Sequence, residues 1–93
     1  MKAVHPGRIL RRELESREMS ANALALALRT PSGRIIEILN GKRGISPETA
    51  LRLARYFGNS AMFWLNLQTA YGLAVTEEQH GKRIAIEVNP SAK

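Results

Sequence analysis

The feature that most constrains this chain is a very short break between two helical patterns in residues 20–41, SANALALALRTPSGRIIEILNG. Ser20 is a favourable N-cap for the first pattern, and Thr30 can cap the second, with Pro31 suited to its first helical position. The apolar faces, recognised by their three- and four-residue spacing, are Leu24, Ala25 and Leu28, followed by Ile35, Ile38 and Leu39. Two helices joined by a three- or four-residue break are typical of a helix-turn-helix.

Capping residues divide the rest of the chain into three further helices. The first is expected from Pro6 to about Glu18, and a fourth opens at Ser46 with a proline and a glutamate behind the cap. Gly58-Asn59-Ser60 ends the fourth helix and caps a fifth, which is expected to run from Ala61 to about Tyr71. The residues expected to face the core are Ile9, Leu10, Leu14, Ala50, Leu51, Leu53, Ala54 and Phe57. The fold class is therefore predicted to be all-α with five helices.

The last part of the chain has a different pattern. In residues 82–88, KRIAIEV, apolar side chains alternate with others, which predicts a short half-buried strand. A lone strand has no sheet to join, so it would pair with a dimer mate or with another protein. An extended, flexible tail is the alternative.

The segment from residue 56 to residue 76 contains no Lys, Arg, Asp, Glu or His but many large apolar side chains. A helix that is apolar on several sides needs more than one neighbour, so we predict a homodimer. The residues predicted for its interface are Phe63, Trp64, Leu67 and Tyr71. The alternative is a helix that is buried entirely within the monomer.

The positive charge is confined to one part of the chain. Residues 1–57 hold eleven Lys and Arg against five Glu, whereas residues 58–93 hold three of each, within a formal net charge of +6. Because neutralising phosphates releases counterions, this segregation predicts salt-sensitive binding of nucleic acid by the helix-turn-helix part. A solvated basic surface would give the same composition.

Enzymatic and membrane functions find no support in the sequence. The chain contains no Cys and no Asp, and its two histidines, His5 and His80, lie near opposite ends without the spacing of metal ligands or of a nucleophile and base. Glu77 and Glu78 are adjacent and would point to different faces of a helix, so they cannot act as a paired acid and base. No secretory h-region and no membrane-spanning apolar stretch is present. We therefore expect a cytoplasmic protein that is not an enzyme and needs no cofactor or metal.

Three motifs extend this interpretation: HPGRIL near the start, the run LALALRTPSGRIIEILNGKRGISPETALRLARYFG, and FWLNLQTAYGL. Together they resemble the HigA-type antitoxins of bacterial type II toxin-antitoxin systems, within the lambda-repressor-like (Xre) helix-turn-helix class. The resemblance covers residues 5–73. It implies that residues 1–76 form a lambda-repressor-like domain for DNA binding and dimerisation, with residues 77–93 as a tail.

The resemblance also implies a function. Such a dimer binds operator DNA in its own promoter, represses its own operon and neutralises a HigB-type toxin, an mRNA endonuclease. Two alternatives are a stand-alone Xre-type transcriptional regulator without a toxin and a protein-only interaction module.

The same resemblance assigns roles to individual residues. The residues expected to contact base edges lie at the start of the third helix and are Ser32, Gly33, Arg34, Ile36 and Glu37. Arginine can bind guanine O6 and N7 in a bidentate manner, so Arg34 is the leading candidate, although it could instead pair with Glu37 on a solvated face. The residues expected to contact phosphates are Ser20, Asn22, Asn40, Lys42 and Arg43.

Two positions depart from the pattern of the class. Arg29 stands where the class usually has glycine, which predicts either a strained residue at positive φ or a reshaped turn. Ala21 stands where related repressors often have a phosphate-binding glutamine, so that contact is expected to be lost or to move to Asn22.

Overall fold

The computed structural model describes residues 3–92, which form five α-helices and no strand. The helices are α1 (Pro6–Ser16), α2 (Ala21–Leu28), α3 (Ser32–Leu39), α4 (Pro47–Phe57) and α5 (Ala61–Glu87). The all-α, five-helix prediction is confirmed. Within residues 3–92, no helix combines the length and the hydropathy needed to cross a bilayer.

Four of the helices begin with a side-chain cap, and in three of them the cap is the serine that the sequence favours. The Ser20 hydroxyl accepts a hydrogen bond from the Ala23 amide at 3.0 Å, and Ser46 and Ser60 act in the same way at the starts of α4 and α5. At the start of α1, Nδ1 of His5 accepts from the Gly7 amide at 2.9 Å. Each of these bonds satisfies an amide that has no partner within its helix.

The start of α3 differs from the prediction. The residue at the N-cap position is Pro31, with no side-chain cap bond, so the assignment of Thr30 as the cap and Pro31 as the first helical residue is wrong. Thr30 is only 9 % exposed, and its amide donates to the Ala25 carbonyl at 2.9 Å. Because this bond closes the turn after α2, Thr30 is turned inward and does not cap the unpaired amides at the start of α3.

The core lies among all five helices. Its fully buried apolar side chains are Leu10, Leu24, Ile35, Ile38, Ala50, Leu53 and Trp64. One expected core residue is misplaced, because Leu51 is 63 % exposed on the outer face of α4. The tightest backbone approach is between α1 and α3, where Gly7 lies against the Ile38 carbonyl so closely that a Cβ atom at Gly7 would overlap the oxygen.

Trp64 is the largest buried side chain of the core. It is 1 % exposed, packs against Phe57 and Phe63, and its indole Nε1 donates to Oδ1 of Asn59 at 3.0 Å. A side chain enclosed in this way has no surface to offer to a second copy. The expectation that Trp64 belongs to a dimer interface is therefore wrong, and the alternative of burial within the monomer is correct for this residue.

Helix α5 is much longer than predicted. It continues past Tyr71 to Glu87, and residues 82–87 are helical, so the strand predicted for residues 82–88 is wrong. Extending an existing helix adds one backbone hydrogen bond per residue, whereas a solitary strand gains none. The last such bond runs from the Val88 amide to the Ile84 carbonyl at 2.9 Å. Only residues 88–92 form an extended tail.

Candidate nucleic-acid interface

One side of α3 faces solvent along its first two turns. Ile35 and Ile38 are fully buried and fix the helix on the core. The opposite side brings together the five residues predicted to contact bases, of which Ser32, Gly33, Ile36 and Glu37 are exposed and Arg34 is half-buried. A helix of eight residues held in this way presents a rigid edge, about 12 Å long, that a DNA major groove can accept.

Of the two charged side chains on this edge, Glu37 has an ion-pair partner and Arg34 has none among the described residues. Nε of Arg43 lies 2.8 Å from Oε1 of Glu37 in an exposed ion pair. Arg34 forms no side-chain hydrogen bond or ion pair within residues 3–92, so the alternative pairing of Arg34 with Glu37 is not observed. The Arg34 guanidinium is therefore available to an external acceptor, while Glu37 orients Arg43.

The loop that follows α3 carries three of the predicted phosphate ligands, Asn40, Lys42 and Arg43, all exposed. Gly41 adopts φ +74°, which turns the chain after the helix, and the Lys42 amide donates to the Glu37 carbonyl at 2.8 Å. The hydrogen bond from Lys42 holds the start of the loop against the C-terminal end of α3, so the exposed side chains of the two segments lie next to each other.

Helix α1 contacts the end of α3 and the start of this loop through Arg11, a role that the sequence did not indicate. Nη2 of Arg11 lies 3.3 Å from the Leu39 carbonyl and 3.4 Å from Oδ1 of Asn40. Arg11 therefore satisfies an orphan carbonyl at the end of α3 and holds Asn40 in place. No local pattern identified this role, because the two partners are 28 and 29 residues away.

His5 is a second support for the loop. Its ring packs edge-on against Tyr71 of α5, with centroids 4.8 Å apart, and lies beside Gly41 of the loop. Burial lowers the pKa of the His5 imidazole, and its interaction with the backbone of Arg43 opposes that shift only in part. The order His-Pro indicates the start of α1, with a cap and a first-turn proline, but it does not indicate the contact of His5 with the loop.

Gln68 of α5 fixes the far end of the loop. Its Oε1 accepts from the Ile45 amide at 2.8 Å, and Ile45 is buried. The loop between α3 and α4 is thus anchored by side chains of α1 and α5, which reduces the entropy that it would lose on binding a ligand.

The start of α2 provides the remaining predicted phosphate ligands. Ser20 and Asn22 are exposed, and the Ser20 hydroxyl oxygen already accepts from the Ala23 amide. Asn22 makes no side-chain hydrogen bond in the part of the chain that the structure describes. Asn22 can therefore donate to a phosphate without breaking an internal contact.

The turn between α2 and α3 keeps the left-handed conformation despite its arginine. Arg29 has φ +56° and ψ +48°, so the turn is not reshaped. The region is sterically unfavourable for residues with a Cβ atom. No group of three His or acidic side chains able to hold a metal ion occurs among residues 3–92.

Comparison with known proteins agrees with this geometry. A family model described as helix-turn-helix matches residues 10–64. Virulence-associated protein I from Dichelobacter nodosus is 54% identical over 79 residues, which cover 84% of this chain and 73% of the relative.

Two solved structures match almost the whole chain. An addiction module antidote protein of the HigA family from Coxiella burnetii is 49% identical, with a TM-score of 0.95 over 98% of this chain and 100% of the other. The antitoxin HigA from Pseudomonas aeruginosa, solved with the higBA promoter, is 44% identical, with a TM-score of 0.93 over 96% and 98%. The resemblance drawn from the sequence motifs is confirmed.

Proposed function

This chain belongs to the helix-turn-helix family, and on that premise we propose that it is a sequence-specific DNA-binding antitoxin of the HigA type. It binds an operator in its own promoter, represses its own operon in the cytoplasm and neutralises a HigB-type mRNA endonuclease toxin. The observation that carries the proposal is the exposed, rigidly held edge of α3, in a chain 44% identical to a HigA antitoxin solved with its promoter.

In this proposal the first turns of α3 enter the major groove and read base edges. Arg34 donates to O6 and N7 of a guanine, a contact that discriminates by about 1–3 kcal/mol against other bases. Gly33 carries no side chain, so the backbone at Ser32 and Gly33 can approach the bases closely. Ile36, which is 46 % exposed, contacts a thymine methyl, and Glu37 accepts from a cytosine amino group.

A second set of residues positions the domain on the duplex without reading its sequence. The residues proposed to contact phosphates are Ser20, Asn22, Asn40, Lys42 and Arg43. They flank α3 on two sides, at the start of α2 and in the loop after α3. Phosphate contacts of this kind set the register in which the base contacts form.

The proposed assembly is a homodimer that uses the apolar surface of α5. This helix has 27 residues and is about 40 Å long, yet Trp64 is its only buried residue. Leu73 is 65 % exposed, Ile84 46 % and Ile86 80 %. A second copy covers these side chains together with the partly exposed Phe63, Leu67 and Tyr71. Two α3 helices related by a two-fold axis then read half-sites roughly 34 Å apart.

Operator binding is tested by gel shift with the DNA upstream of the gene and with a scrambled duplex of equal length. We expect a shifted complex with the upstream DNA that weakens steeply as salt rises, and a footprint with two-fold symmetry. Arg12→Ala serves as a control, because this exposed α1 arginine lies outside the proposed interface. Equal affinity for both duplexes would exclude sequence-specific recognition.

Toxin neutralisation is tested by expressing the chain together with each adjacent gene. We expect one neighbour to copurify with the chain and to arrest growth when it is expressed alone. If the operator is bound but no neighbour copurifies or arrests growth, the chain is a stand-alone Xre-type regulator. If neither DNA nor a neighbouring product is bound, both assignments fail and only a protein interaction module is left.

A further inference from the structure

A basic groove of about 500 Å³ lies where the C-terminal end of α2 meets the outer face of α4. Three arginines, Arg29, Arg52 and Arg55, line it together with the apolar side chains of Leu51 and Tyr56. No acidic residue lines the groove within the described part of the chain. Its volume lies within the range of about 300–1,000 Å³ that is typical of ligand sites.

The three arginines are not equally engaged. Nη1 of Arg52 donates to the Leu28 carbonyl at 2.9 Å and Nη2 lies 3.1 Å from Oε2 of Glu48, so this guanidinium is fixed in place. Arg29 and Arg55 are exposed and form no side-chain hydrogen bond or ion pair among residues 3–92. The groove therefore presents one oriented and two unengaged guanidinium groups.

Arg29 occupies its position against the preference of the backbone. At φ +56° a glycine would be unstrained, whereas an arginine is not. The fold keeps Arg29 in this strained conformation, and the residue lies at the rim of the groove. A strained backbone is a reason to look for a ligand at that residue. Of the two described non-glycine residues with positive φ, Glu18 and Arg29, only Arg29 lines the groove.

The apolar part of the groove is open to solvent. Leu51 is 63 % exposed and Tyr56 is 42 % exposed, so both can be covered by an incoming side chain. The groove lies at the end of α2 opposite to Ser20 and Asn22, roughly 13 Å away along the helix. It is therefore separated from the proposed phosphate contacts at the start of that helix.

We propose that this groove binds an acidic segment of a partner protein that carries an apolar side chain between its carboxylates. Arginine forks bind carboxylates in a bidentate geometry, and the apolar side chains of Leu51 and Tyr56 beside them favour a peptide over a bare phosphate backbone. The carboxylates bind Arg29 and Arg55, and the apolar side chain packs on Leu51 and Tyr56. This is the recognition mode of arginine clusters for acidic motifs.

The test uses a fluorescein-labelled peptide of sequence EELEFEE and the full chain in a fluorescence anisotropy titration. We expect saturable binding that Arg29→Gly combined with Arg55→Ala weakens at least about tenfold. Arg12→Ala removes an exposed arginine from α1 and is expected to change affinity by less than about twofold. The control peptide QQLQFQQ is expected not to bind.

The single variant Arg29→Gly separates loss of the ligand site from loss of the fold. It relieves the left-handed strain, so its melting temperature is expected to rise while peptide affinity falls. It is also expected to retain the operator gel shift, which makes this proposal independent of the DNA-binding one.

Four results would overturn the proposal: no binding of the acidic peptide, unchanged affinity in the double variant, an equal loss with Arg12→Ala, or displacement of the peptide by an operator duplex. The last result would assign the groove to a DNA backbone.

Discussion

Replacing Gly7 by alanine tests the contact that sets α1 against α3, the helix that carries the proposed DNA-binding edge. The added Cβ atom would overlap the Ile38 carbonyl oxygen, and neither atom can move away by a side-chain rotation, because the backbone fixes both positions. Helix α1 must therefore shift relative to α3. Gly33→Ala is the matched control, because Gly33 is also the second residue of its helix but a Cβ atom there would meet nothing within 4 Å.

The two substitutions are expected to change stability in opposite directions. Overpacking of this kind costs about 1–3 kcal/mol, and the helix propensity of alanine returns about 0.5–1 kcal/mol of that at Gly7. The net loss of about 0.5–2 kcal/mol lowers the melting temperature by about 2–16 °C in a domain of this size. At Gly33 only the favourable propensity contribution is left, which raises the melting temperature by a few degrees.

The assay is thermal and urea unfolding followed by circular dichroism at one fixed protein concentration, because the proposed dimer would make the apparent stability concentration-dependent. A Gly7→Ala variant that melts at or above the wild-type temperature would refute the close approach of α1 and α3. Equal shifts for both variants would show that the substitutions act through helix propensity alone.

Three further predictions concern the site and its supports. Arg34→Ala is expected to relax discrimination at one operator position by about 1–3 kcal/mol. Lys42→Ala is expected to weaken binding to all operator variants alike and to lower the slope of log affinity against log salt concentration by about one. Gel shifts with single-base operator variants distinguish the two effects. The pKa of His5 is lower in the folded chain than in the unfolded chain, so the unfolded chain binds a proton more readily. The stability that is present above pH 6.5 is therefore lost as the pH falls toward the folded pKa. His5→Gln is expected to remove this part of the pH dependence of the urea midpoint. Ser46→Ala is expected to destabilise by about 1 kcal/mol in urea unfolding, because it removes the cap from the Thr49 amide.

The parts of the fold that depend on local chemistry were predictable from the sequence. Ser20, Ser46 and Ser60 cap the helices that their positions indicated, because a hydroxyl and an amide three residues apart need no tertiary context. The exposure of the α3 edge followed from the spacing of Ile35 and Ile38 in the same way.

The errors arose where a pattern allowed two interpretations. The first half of α5 is apolar on several sides, so the sequence did not indicate that Trp64 turns inward to meet Asn59 while Leu73 stays outside. The alternation in residues 82–88 is too short to distinguish a strand from the end of a long helix, and the helix already present decided the outcome. The supports from Arg11, His5 and Gln68 depend on distant contacts that no local spacing encodes.

The ion pair between Glu37 and Arg43 has a consequence for how the protein discriminates among sequences. A DNA phosphate offers Arg43 the same kind of anionic acceptor as the carboxylate, so exchanging one for the other gains little by itself. The exchange does release Glu37 beside a polyanion, where it is repelled unless a cytosine amino group receives it. In the proposed complex, the phosphate contact of Arg43 therefore depends on the base opposite Glu37. A duplex without cytosine at that position is expected to bind more weakly, because Glu37 is left unpaired beside the phosphates.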